Sequence, residues 1–233
     1  MYTLKQYMKN LYEVEIKSLL GSQDNVNRLR EKLKIIFPDT KLISKGRQLN
    51  HYFNTPKDLS DFATKFNKVI SEDKKEALEN IIKYGQNISV RTRGTDDKVM
   101  LVIKASVGND TSSNGVKRIE FESVIDTQLS QLDQMLIDFG FTYQAKWSRE
   151  REEYDCGNFS VCLDKNAGYG YVVEFEKVTN DKKSLEDIRK YLLSIMQKLE
   201  VEELAQDRLE RMFAYYNANW DKYYGTDYVF NVD

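Results

Sequence analysis

The stretch Glu13-Val14-Glu15-Ile16-Lys17 alternates charged and apolar side chains with a period of two. A β-strand turns successive side chains to opposite faces, so Glu13, Glu15 and Lys17 share one face and Val14 and Ile16 the other. One such strand fits any half-solvated sheet. The pattern returns down the chain, however, and each time the charges keep one parity. Arg91 and Arg93 alternate within 89–93, and Lys104 closes the apolar run 99–103. Arg118, Glu120 and Glu122 alternate, as do Arg149 and Arg151. Asp164 ends the run 160–163, and Glu174 alternates with Glu176.

A sheet closed into a barrel has an inside, and strands of this kind can all turn their charges into it. The cations Lys17, Arg91, Arg93, Lys104, Arg118, Arg149 and Arg151 are matched by Glu13, Glu15, Glu120, Glu122, Asp164, Glu174 and Glu176. That balance lets enclosed charges pair. It also offers carboxylates to a hard metal ion and guanidinium forks to the phosphates such a metal carries.

These motifs, in this order, resemble the CYTH superfamily, the triphosphate tunnel metalloenzymes. Glu13, Glu15 and Lys17 match its N-terminal Glu-x-Glu-x-Lys. The stretch 48–56 is similar to its second strand and following turn. Arg91 and Arg93 match its Arg-x-Arg, Lys104 its lysine strand, and Arg118, Glu120 and Glu122 its Arg-x-Glu-x-Glu. Arg149 and Arg151, followed by Tyr154, look like its Lys/Arg-x-Arg strand. Asp164, Gly168, Gly170, Glu174 and Glu176 look like its closing hairpin. The resemblance implies an α+β fold: a closed antiparallel eight-stranded β-barrel, the triphosphate tunnel, with helices packed outside.

The whole chain agrees with one such domain over residues 1–233. Net charge is −2, so no overall field draws it to nucleic acid. No apolar stretch approaches a membrane span, and the first residues lack a signal-peptide core. Cys156 and Cys162 flank a turn at Gly157-Asn158 and read as reduced thiols of a cytoplasmic protein. The single histidine, His51, leaves little for a zinc site.

Between the strands the apolar period changes to that of helices. Val26, Leu29, Leu33 and Ile36 lie at helical spacing after a start at 21–24, and Pro38 ends the segment. The second strand is expected over 45–53. An inserted helical hairpin follows at about 57–86, on Leu59, Phe62, Phe66, Val69, Ile70, Leu78 and Ile81. It reads as a cover on the barrel or as a lid. Strands are expected at 88–93 and 98–105. The polar, glycine-flanked stretch 108–115 is placed at a tunnel mouth. A helix stopped by Gly140 precedes strands at 141–154, 159–163 and 170–177. C-terminal helices are expected at about 184–224, the second rich in aromatics that pack a core or present a stacking surface.

By resemblance, Lys17, Arg91, Arg93, Lys104, Arg118, Arg149 and Arg151 clamp a triphosphate. Glu13, Glu15, Glu174 and Glu176, with Glu120, Glu122 and Asp164, hold Mg2+ or Mn2+; the alternative for Arg118 and Glu122 is to pair with neighbours and keep the clamp in place. The implied ligand is tripolyphosphate, ATP or another nucleoside triphosphate, or thiamine triphosphate. Two activities use such a clamp: hydrolysis by a triphosphatase and cyclisation by a class IV adenylyl cyclase. A binding protein without turnover is the third reading. Glu13, Glu15, Lys17, Arg149 and Tyr52 are the candidate catalytic residues. Tyr52 matches a tyrosine that orients a catalytic lysine in some family triphosphatases, but Arg149 stands in that lysine's place. Arginine stays protonated and is a poor base. Some bacterial cyclases carry His-Phe before Glu-x-Glu-x-Lys; this chain has Tyr7-Met8.

Overall fold

The structure, a computed structural model, describes residues 12–106 and 118–231. The stretch 108–115 and the pair Tyr7-Met8 lie outside the described residues. In chain order the elements are β1 (Tyr12–Leu19), α1 (Gln23–Ile36), β2 (Lys41–Asn54), α2 (Phe62–Phe66), α3 (Glu72–Tyr84), β3 (Gln86–Thr95), β4 (Val99–Ser106) and β5 (Arg118–Val124). They continue with α4 (Leu129–Phe139), β6 (Thr142–Asp155), β7 (Ser160–Asn166), β8 (Gly170–Thr179), α5 (Leu185–Lys198) and α6 (Gln206–Tyr223). A short 3-10 turn, Lys182–Ser184, precedes α5.

The eight strands form one sheet in the order β1-β8-β7-β6-β2-β3-β4-β5, with every neighbouring pair antiparallel. Among the described residues no ladder joins β1 to β5, so the expected closure is absent from the backbone hydrogen bonding. One reason is local. The Lys17 carbonyl accepts from the Leu204 N–H at 2.8 Å, so the segment leading into α6 takes up part of the β1 edge. The β2–β6 ladder is the longest, with both strands 14 residues long. β2 begins at Lys41, four residues before the expected start at 45, because its first half pairs with β6 alone. That half stays exposed, and without a buried face it carries no alternation.

The apolar parity of each strand is covered by helices in two separate cores. Val14, Ile16, Val161, Leu163, Val173 and Phe175 pack under α1 and α5, which contribute Leu29, Leu33, Leu192 and Ile195. Val90, Leu101, Ile103 and Phe121 pack under the inserted helices and α4, through Phe66, Leu78, Ile81, Leu132 and Leu136. The inserted hairpin therefore covers the sheet. Its first helix is one short turn-and-a-half, Phe62–Phe66, whose two rings stack 4.3 Å apart. Ser22 caps α1 through its hydroxyl, and Gly140 ends α4 at φ 107, a left-handed conformation that glycine adopts without a Cβ clash. In α6, Tyr216 is buried and stacks on Trp147 of β6 at 3.7 Å, so this aromatic packs inside the molecule. Phe213 and Tyr215 remain about half exposed.

Candidate active site on the charged face of the sheet

Residues directly opposite in an antiparallel ladder share a face. The register pairs Lys17 with Glu174, Glu15 with Glu176, Arg151 with Asp164 and Arg149 with Gln48. It pairs Asn50 with Arg93, Tyr52 with Arg91, and Lys104 with Glu120. Together with the period of two along each strand, this puts these residues on the face opposite the two cores; β2 gives that face Gln48, Asn50 and Tyr52, while its Lys45 and Arg47, with Glu152 and Glu150 of β6, have the other parity. Arg118 holds a position of the same parity in β5.

On β1, β8, β7 and β6 the charges form a connected chain. Lys17 Nζ donates to Glu174 Oε1 at 2.8 Å and also contacts Glu15. Arg151 forks onto Asp164 at 2.7 and 2.6 Å and reaches Glu174 as well. Arg149 donates to Asp164 Oδ2 at 3.1 Å, and its Nε and Nη2 both donate to Gln48 Oε1, at 3.0 and 2.8 Å. Burial would raise the Glu174 carboxyl, but Lys17, Arg151 and Arg149 outweigh it and hold it well below the usual carboxylate range. Burial likewise opposes the charge on Arg151, and Asp164 and Glu174 overcome it, so its value is raised. Asp164 is buried between the two guanidiniums, which makes it their counter-ion.

The β2–β5 half holds its arginines with fewer carboxylates. Arg91 Nη1 donates to the Tyr52 hydroxyl at 2.7 Å, while Glu120 lies 3.8 Å from Arg91 and 3.1 Å from Lys104. Arg93 donates from Nε to Asn50 Oδ1 at 3.0 Å and from Nη1 to Glu122 at 3.1 Å. Burial and the adjacent Arg91 lower the Arg93 guanidinium to about 10, with Glu122 opposing and Arg149 adding to the effect. Burial would raise the Tyr52 phenol, but Arg91, Arg149 and Arg93 bring it below its ordinary value. Arg91 Nε is buried and finds no acceptor among the described residues.

The carboxylates concentrate at the other end of β1 and β8. Burial raises the Glu176 carboxyl, and Glu13 beside it, through charge and a hydrogen bond, brings it to about 7; Glu174 and Glu153 add to the rise. Glu13 and Glu176 face each other with no cationic partner among the described residues, oxygen donors of the type a hard divalent ion takes, and Glu15 stands on the same strand face. These carboxylates are the donor type such an ion takes, but among the described residues no three acidic groups stand together so as to hold one.

Gln48, Asn50 and Glu153, which hold or flank the charged groups, were not singled out from sequence. Their signal was the shared parity of Gln48, Asn50 and Tyr52 in β2, and of Glu153 with Arg149 and Arg151 in β6. Tyr154 has the opposite parity and bonds Glu152 and Arg30 at 2.7 and 3.1 Å, away from the clamp. A cavity of about 770 Å³ is lined by Arg149 and Asn166 from the sheet and by Thr226, Val229 and Phe230 from the C-terminal segment.

The CYTH domain model matches residues 11–208, which contain every strand of the sheet. A solved structure from Pyrococcus horikoshii OT3 is similar with a TM-score of 0.59 at 21% identity, over 88% of this chain and 99% of that one. A Vibrio parahaemolyticus protein described as a proposed adenylate cyclase has a TM-score of 0.57 at 16% identity, over 87% and 98%. A conserved hypothetical protein of Pyrococcus furiosus reaches 0.56 at 18% identity, over 83% and 97%. At these identities the likeness is one of fold. No curated protein matches the chain. With the charged sheet face, its ordered motifs and a family model spanning most of the sequence in agreement, the chain belongs to the CYTH domain family.

Proposed function

We propose that the protein is a divalent-metal-dependent triphosphatase that takes tripolyphosphate or a nucleoside triphosphate on the charged face of its sheet. The observation that carries this reading is the crowding of Arg91, Arg93 and Arg149. Burial and the neighbouring Arg91 and Arg149 lower Arg93, and a buried Arg91 donor has no acceptor among the described residues. Such a surplus of cationic donors suits a polyanion. Lys17, Lys104, Arg118 and Arg151 extend the clamp along the phosphate chain. Closure of the sheet around the ligand as a tunnel belongs to the same proposal. It is supported by side chains that meet across two strands on this face: Arg93 of β3 with Glu122 of β5, and Arg151 of β6 with Glu174 of β8.

Glu13 and Glu176, with Glu15, would hold Mg2+ or Mn2+; Glu120, Glu122, Glu174 and Asp164 mainly hold cationic side chains in place. When bound, the metal screens phosphate charge and activates water. The chain's own part is to line up the phosphates, to offer the leaving diphosphate its arginines, and to pass the water's proton to a neighbouring carboxylate. Water attacks the terminal phosphorus, the bridging P–O bond breaks, and orthophosphate and the shortened chain leave. Positioning and charge stabilisation carry the rate.

The deciding experiment is ³¹P NMR of the protein with ATP or tripolyphosphate and each metal. Orthophosphate supports hydrolysis. Pyrophosphate as the only inorganic product from ATP rejects it in favour of cyclisation, and binding without turnover under either metal leaves a binding protein. EDTA should abolish product formation and added magnesium or manganese should restore it; full turnover in metal-free buffer would overturn the metal assignment.

Arg149 allows a second check. Its guanidinium is pinned by Gln48 and Asp164, and arginine is a poor base, so on this reading it serves as a phosphate donor. Arg149→Lys should keep partial hydrolysis, since the charge remains and the fork is lost. Wild-type hydrolysis should tolerate Tyr52→Phe moderately, because that change removes one acceptor of Arg91. If Arg149→Lys gains activity that Tyr52→Phe then removes, the site can run on a lysine–tyrosine base. Loss of all wild-type activity on Tyr52→Phe alone would give Tyr52 a chemical role.

A further inference from the structure

The cover of the sheet behind the arginines contains a buried polar knot. His51 and Thr92 are directly opposite in the β2–β3 ladder, between the pairs Asn50–Arg93 and Tyr52–Arg91. Their side chains turn away from the charged face, and both meet Asp133 of α4. Thr92 Oγ1 donates to Asp133 Oδ1 at 2.6 Å. Asp133 Oδ2 accepts from the Tyr143 hydroxyl at 2.8 Å and lies 2.6 Å from His51 Nδ1. The other imidazole nitrogen, Nε2, is 2.6 Å from the hydroxyl of Tyr224, the residue that ends α6. Lys146 Nζ sits 4.0 Å over the Tyr143 ring and faces Tyr224 as well. Burial would raise the Asp133 carboxyl, but its bonds to His51, Thr92 and Tyr143 keep it below the ordinary value.

A knot like this adds little net stability over an apolar core of the same shape, and it is costly when any partner is missing. What it does supply is a unique arrangement. Thr92 and His51 flank, on adjacent strands, the side chains that hold Arg91 and Arg93. A slip of β2 against β3 by one residue would bring Asn50 and Tyr52 into the core and turn His51 outward. Asp133 accepts from one residue on each strand and thereby fixes their register and the tilt of the pair.

We infer that Asp133 is a positioning residue: acting through His51 and Thr92, it sets where Arg91 and Arg93 stand, and Tyr224 ties α6 into the same device. The inference rests on the reading that those arginines hold the polyanion. Tyr224 lies beyond the residues matched by the family model, so this strap belongs to the part of the chain that the family pattern does not describe.

The test uses Thr92→Val, Tyr224→Phe and Asp133→Asn in the full chain, with Leu136→Ala on the same helix as a control for general loosening. Two readouts are taken: the Nε–H NMR signals of Arg91 and Arg93, and KM against kcat with tripolyphosphate and manganese. The first needs no turnover. The expected result is displaced Arg91 and Arg93 signals in the knot variants and unmoved signals in Leu136→Ala. KM should rise about fivefold, the equivalent of one ordinary hydrogen bond, with kcat changed far less. Should Asp133→Asn not fold, the other two knot variants decide. Wild-type arginine signals in Thr92→Val and Tyr224→Phe would overturn the inference. A wild-type protein inert toward tripolyphosphate would instead count against the functional reading, with the arginine signals still judging this one.

Discussion

Replacing Arg93 by alanine should cut triphosphate turnover by at least about tenfold, which corresponds to roughly 1.4 kcal/mol of transition-state stabilisation. Arg93 is the residue most exposed to its own kind. It is partly buried, lowered to about 10 by burial and Arg91, and touched by the field of Arg149. Charge held so close to like charge is costly, with Glu122 offsetting only part of it, and on the proposed reading the phosphates would receive the rest. The fold should survive the change. Relief of the repulsion offsets the loss of the bond to Asn50, and Glu122, released from Arg93, is partly open to water. Steady-state kinetics and thermal melts on Arg93→Ala, and on Arg91→Ala beside it, check both halves of the expectation. Wild-type kinetics in both variants would remove β3 from the site.

The largest effect on stability is expected from Asp164→Asn. The carboxylate has 0% side-chain exposure and accepts from both Arg149 and Arg151. Asparagine keeps the shape but loses the charge, and it turns an N–H₂ toward a guanidinium. Removing one partner of a buried ion pair costs about 3–5 kcal/mol. For a chain of this size each kcal/mol moves Tm by about 2–4 °C, so a fall on the order of 10 °C should follow. The exposed pair Lys32–Glu200 is the natural comparison, and Lys32→Gln should scarcely shift the melt. A small shift for Asp164→Asn would mean that water reaches the Arg149–Arg151 pair.

The charged face was legible because each strand repeats one rule. Glu13, Glu15 and Lys17, then Arg91 and Arg93, then Glu174 and Glu176 alternate with buried Val14 and Ile16, Val90 and Thr92, Val173 and Phe175. Where one face is not buried the rule fails, which is why β2 was read from 45 and not from Lys41: Leu42 and Ile43 are both more than half exposed. Closure of the sheet was not legible either. It depends on backbone groups of β1 and β5, which leave no mark on side-chain pattern, and on Leu204, nearly two hundred residues from Lys17, arriving at the β1 edge. Gln48 and Asn50 escaped notice because an amide carries no charge signature. Asp133 was not singled out, because only the packing of α4 against Thr92 and His51 gives it partners.

The division of the apolar cover into two cores bears on how the molecule holds together. Lys17, Arg149 and Arg151 stand on strands backed by α1 and α5; Arg91, Arg93 and Lys104 stand on strands backed by the inserted helices and α4. Among the described residues the two apolar clusters are separate. They are joined by β6, which gives Tyr154 to one and Tyr143 to the other, and by its ladder with β2, through amides whose hydrogens can exchange when either side opens. On the proposed reading, an anion gripped by arginines of both halves would fasten them from the opposite face, and its binding energy would become resistance to their separate opening. Ligand and fold would then share one bond network, and the bare protein would be the looser of two states, breathing about the β2–β6 ladder that the ligand locks.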